Sequence, residues 1–98
     1  MNDVVARLAA TIRGDHGCDV RHVEGVEVKE MLGDAVVWHG VVEVFDLVGH
    51  PSASRCYAWA YQRESKERRV VVLHAGPIDS PRRAVQAALV HQQRSGTL

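Results

Sequence analysis

Hydrophobic positions change their period along this chain, and each change marks a new element. Near the start, Val5, Leu8, Ala9 and Ile12 recur at helical spacing. One face of a 3.6-residue repeat carries all four, so the stretch from Asn2 to Gly14 predicts a short amphipathic helix. Asn2 or Asp3 can cap it, and Arg13 followed by Gly14 can close it. After the polar turn "DHGCD" at 15–19 the period falls to two. Arg21 to about Met31 reads as a strand in which Val23 is out of phase with Val26 and Val28, and the slip is expected at Gly25. A turn at 32–34 leads into the longest β-rich run, "AVVWHGVVEVFDLV" at 35–48. There Val36, Trp38, Gly40, Val42 and Val44 share one face, with His39 and Glu43 on the other.

Gly49, Pro51 and two serines make "GHPSAS" a loop. "RCYAWAYQR" at 55–63 is the third strand, "ESKE" at 64–67 a charged turn, and "RRVVVLH" at 68–74 the fourth strand. Ser80 and Pro81 are a cap and a first helical position. The helix they open runs to about Arg94, with Ala84, Val85, Ala88, Leu89 and Gln92 on one face, and the last four residues read as a frayed tail. The order α-β-β-β-β-α with short links between strands predicts an antiparallel four-stranded meander. Two helices with one apolar stripe each are expected on one sheet face, giving a two-layer α+β sandwich.

Composition narrows this picture. A chain of 98 residues has room for one domain, and 46% apolar residues are enough for a core. Twelve basic and twelve acidic residues cancel, so the overall field does not draw the chain to nucleic acid. The N-terminus is too polar for a signal peptide and no apolar run reaches membrane-spanning length. A cytoplasmic protein with Cys18 and Cys56 as reduced thiols is the expectation.

The third strand holds the most distinctive pattern. Alternation sends Tyr57, Trp59 and Tyr61 to one side and Cys56, Ala58 and Ala60 to the other. Small side chains suit a helix-covered surface, which would leave the aromatics on the open face. Three readings fit that ladder: an ordinary core, a symmetric dimer interface, or a platform that stacks bases or a planar ligand. The same alternation makes Cys56 a buried, inert thiol rather than a nucleophile.

The start of the last helix is the second feature. Arg82 and Arg83 oppose the helix dipole in the first turn, and an anion held there with Ser80 would relieve the conflict. Two solvated arginines, paired with Asp79 and nearby glutamates, are the plainer alternative. From Gly49 to Leu89 the order of loop, two strands and helix resembles the latter part of a double-stranded-RNA-binding domain, through "GHP" at 49–51 and "SPRRAVQAA" at 80–88. That resemblance implies a minor-groove role for His50 and phosphate contacts for Arg82 and Arg83. His and Pro stand in the opposite order from the family's loop, Gln86 replaces its third basic residue, and one strand is extra. The whole chain, especially "HGVVEVFDLVGHP", "CYAW" and "GPIDSPRRAVQAA", is also similar to small uncharacterised bacterial proteins, a resemblance that implies no activity.

Metal and catalytic motifs add little. His16 and Cys18 are two apart but have no second pair of ligand spacing, so no metal is expected. No phosphate loop, nucleophile elbow or cofactor motif is present. The sequence therefore favours a non-enzymatic interaction domain that self-associates through its sheet. A homo-oligomer or protein partner is expected, RNA binding is the alternative, and no membrane or cofactor is implied.

Overall fold

A computed structural model describes residues 3–95, with side chains through residue 91. Its elements are α1 (Asp3–His16), β1 (Asp19–Leu32), β2 (Ala35–Val48), β3 (Arg55–Arg63), β4 (Lys66–Leu73) and α2 (Pro81–Ser95). The four strands form one antiparallel sheet in the order β1-β2-β3-β4, and the α+β class and element order match the sequence pattern. Asn2 as a cap, the Gln92 side chain and the tail at 96–98 lie outside the described residues.

The layering differs from the expectation. α1 buries Val5, Leu8, Ala9 and Ile12 against Val20, Phe45, Leu47, Cys56 and Ala58. α2 buries Ala84 and Val85 against Val28, Val42, Val44, Tyr57 and Trp59. Cys56 and Tyr57 are neighbours on one strand and point to opposite faces, so the helices cover opposite faces and the molecule has three layers. The cause is visible in β3: a small-residue face and an aromatic face are both apolar, and each needs its own cover.

Local boundaries follow backbone chemistry. α1 continues through Gly14 and ends at Gly17, whose φ of +61° and N–H bond to the Arg13 carbonyl (2.9 Å) terminate it. The bulge in β1 falls at Val23, between the His22–Phe45 and Glu24–Val44 pairs, and not at Gly25. It switches phase, so Val20 faces α1 while Val26 and Val28 face α2. Gly25 has its own role: a Cβ there would lie 2.9 Å from Glu43 Oε1, so its missing side chain admits that carboxylate. The β3–β4 turn is only Glu64 and Ser65, both at positive φ (54° and 64°), with Lys66 and Glu67 already in β4.

The sheet is forked. β2 pairs with β3 only over Glu43–Asp46 and Arg55–Ala58, whereas β1 and β2 pair along nearly their whole length. Beyond that short seam the β1–β2 hairpin runs on as a two-stranded arm, ending in the two-residue turn Gly33–Asp34. Gly33 has φ +61° while Asp34 does not enter the positive region, the pattern of a type II′ turn.

Candidate functional site

Tyr57 and Trp59 lie beneath α2 and are almost fully buried. Trp59 meets Trp38 edge-on, with ring centroids 5.6 Å apart and planes at 71°. Together with Tyr61, Val85, Ala88 and Leu89 these rings fill the fork between the two hairpins, leaving a cavity of about 80 Å³. That space is far below the few hundred Å³ of an ordinary ligand site. Of the three readings of the aromatic ladder, the structure places Tyr57 and Trp59 in the core. Tyr61, half-buried at the rim, packs against the same cluster.

The arginines at the start of α2 already hold carboxylates. Arg82 Nη1 donates to Glu30 Oε2 at 2.9 Å, and Arg83 Nε lies 3.3 Å from Asp79 Oδ1. Ser80 accepts the Arg83 backbone N–H at 3.2 Å, so its hydroxyl works as the helix cap. His50 is likewise engaged: its Nδ1 accepts the backbone N–H groups of Ser52 (3.1 Å) and Ala53 (3.0 Å), and its ring lies 5.4 Å from that of His16. These contacts order the β2–β3 loop and turn the imidazole toward its own backbone. Among the described residues, no hydrogen bond or ion pair links His50 to Arg82 or Arg83.

Cys56 is free and fully buried, and burial, with the Cys18 thiol as a lesser cause, pushes its pKa up to about 12. A thiol in that state is not a nucleophile at neutral pH. The Tyr57 hydroxyl is hydrogen-bonded to His74 Nδ1 (2.7 Å), and burial pushes the phenol pKa up, so it keeps its proton. Asp46 accepts from Arg21 Nη2 (3.1 Å) and Arg55 Nε (3.0 Å). Those bonds, Arg21 first, hold its carboxyl below the usual range.

Two buried carboxylates escaped the sequence pattern. Glu43 is 8% exposed and accepts from His22 Nε2 at 2.8 Å across the β1–β2 pair. Glu30 is equally buried, with Oε1 lacking a hydrogen-bond partner while Oε2 holds Arg82. Gly25, which makes room for Glu43, is the one residue that could have signalled the first of them. Among the described residues, neither His22 nor His74 is hydrogen-bonded to a serine or cysteine, and no group of three His, Cys, Asp or Glu side chains converges as metal ligands would. No described helix is long and apolar enough to cross a membrane.

What remains open is the arm. Of the eight exposed large hydrophobics among the described residues, seven (Val23, Met31, Leu32, Val36, Val37, Val41 and Val48) belong to the β1–β2 hairpin, and the eighth, Val90, lies on α2. Leu32 at the tip is 74% exposed. α2 packs on β1 and β2 and covers one side of the arm, while α1 packs over β1, β3 and β4 with its buried partners at the seam end. On the uncovered side lie Gly25, Glu27, Lys29 and Met31 of β1, with His39 and Val41 of β2. β1 is also the outer strand, so its second backbone edge has no strand beside it among the described residues. Comparison with protein-family models, curated proteins and solved structures finds no match to the chain.

Proposed function

We propose that this is a small cytoplasmic, non-enzymatic interaction domain that self-associates through the β1–β2 arm, not through the aromatic ladder. The observation that carries this reading is the concentration of exposed apolar side chains on one hairpin that also owns an open strand edge. Exposed apolar patches of this kind mark interfaces. A two-stranded ribbon is only marginally stable alone, and this one has a helix on one side only. A formal net charge of zero means that two copies do not repel each other at long range. The two buried free thiols fit a reducing compartment.

Sedimentation equilibrium tests this reading. The chain is expected to form dimers at micromolar to high-micromolar concentration. Met31→Ser with Leu32→Ser removes two exposed apolar side chains from the outer strand of the arm and should weaken the dimer by about tenfold or more. A chain that stays monomeric at about 500 µM overturns self-association.

A further inference from the structure

Resting on that reading, we infer that two copies join through antiparallel pairing of their β1 edges, with the two-fold axis at Val28. The faces of β1 limit which registers are possible. From Glu24 to Leu32 the strand alternates without a bulge of its own, because the irregularity near the tip inserts its extra residue, Val37, in β2. Gly25, Glu27, Lys29 and Met31 point to the uncovered side, and Val28 and Glu30 are buried on the α2 side. In a two-fold antiparallel pair the same faces meet, so the axis must pass through one residue and its own copy.

Charge then separates the neighbouring registers. An axis at Glu27 sets Glu27 against itself, and an axis at Lys29 sets Lys29 against itself, an arrangement that like charges oppose. An axis at Val28 instead sets Glu27 of each copy opposite Lys29 of the other, making the same favourable pair twice. It also places Met31 opposite Gly25, which has no side chain to collide with it. On the α2 side, Val28 meets Val28, and Val26 meets Glu30, which stays tied to Arg82.

The result is one continuous eight-stranded sheet. The uncovered sides of the two arms become a single surface between the two α1 helices, carrying His39 and Val41 from each copy. Edge strands normally avoid such pairing through charge, and here Glu27 and Lys29 exclude the adjacent registers while favouring this one. The occupant of the edge is thus a second copy of this chain.

A charge exchange tests the register. Glu27→Lys alone and Lys29→Glu alone each place like charges opposite one another twice, and each should weaken the dimer by about tenfold or more in sedimentation equilibrium. The exchanged variant, Glu27→Lys with Lys29→Glu, restores opposite charges and should return the dimer to within about threefold of the original affinity. Both side chains are exposed, so thermal melting of the dilute proteins should show all three variants folded. A dimer that ignores the single reversals, or one that the exchange fails to restore, overturns this register and leaves self-association standing. A monomeric parent chain overturns both.

Discussion

Trp59 shows how much one side chain can carry here. It sits almost fully buried where β3 leaves β2, edge-on to Trp38 and beneath α2. The edge-to-face contact contributes about 0.5–1.5 kcal/mol beyond area burial. Truncation to alanine would open a cavity at the fork, at a cost of about 3–5 kcal/mol. A small domain has only about 5–15 kcal/mol in total, so Trp59→Ala should lower the urea midpoint sharply. Were Trp59 an open interface residue, the variant would instead keep its midpoint when dilute and lose only its dimer. At this scale the sequence was readable in type but not in place. Alternation along "RCYAWAY" separated Cys56 from the aromatics correctly, yet it could not say which face a helix would cover. Both faces were apolar enough to need one. Glu43 and Glu30 could not be read as buried, because each is buried by an element distant in sequence: Glu43 across the β1–β2 pair and Glu30 under α2.

At the scale of elements, each helix is tied to the sheet by an arginine–carboxylate contact. Arg7 of α1 donates twice to Glu67 of β4, from Nε to Oε1 at 3.0 Å and from Nη2 to Oε2 at 2.7 Å. Arg69 adds a bond to Glu67 Oε1 at 2.8 Å and reaches Thr11 Oγ1 at 3.2 Å. The bond from Arg7, then that from Arg69, holds the Glu67 carboxyl at about 2, down from its ordinary 4.5. A carboxyl depressed on folding adds stability that is complete above its unfolded-state value and disappears as pH falls toward the folded one. Glu67→Gln should therefore be less stable than the parent at pH 7, and the gap should close between pH 4.5 and about 2. Urea melts across that range measure it, and a gap independent of pH would remove the role assigned to this pair. No pattern of residues signalled this link, since Arg7 and Glu67 are 60 residues apart. The strands were legible where side chains alternate: β2 and β3 fall at 35–48 and 55–63 as their patterns suggest. The ends of β1, β4 and α1 shifted by two or so residues. A left-handed glycine or turn sets such ends, and period alone does not locate it.

For the whole molecule, the forked sheet decides the shape. The radius of gyration is 13.4 Å, a little above the 12.6 Å or so of an average domain of this length, and the long axis reaches 40 Å. The excess fits the arm, which runs past the seam with one side and one edge bare. The sequence carried the valines and the length of this hairpin, but not the parting of β2 from β3, because short strand connections alone suggest an ordinary meander. The two edges of the sheet offer a direct comparison: β1 is proposed to pair with a second copy, and β4 is not. Amide hydrogen exchange followed by mass spectrometry at low and high protein concentration separates them. The account predicts that the segment Glu24–Leu32 gains protection as concentration rises while Lys66–Leu73 does not change. Unchanged exchange in Glu24–Leu32 at concentrations where the chain is dimeric, or protection gained in β4 instead, would contradict it.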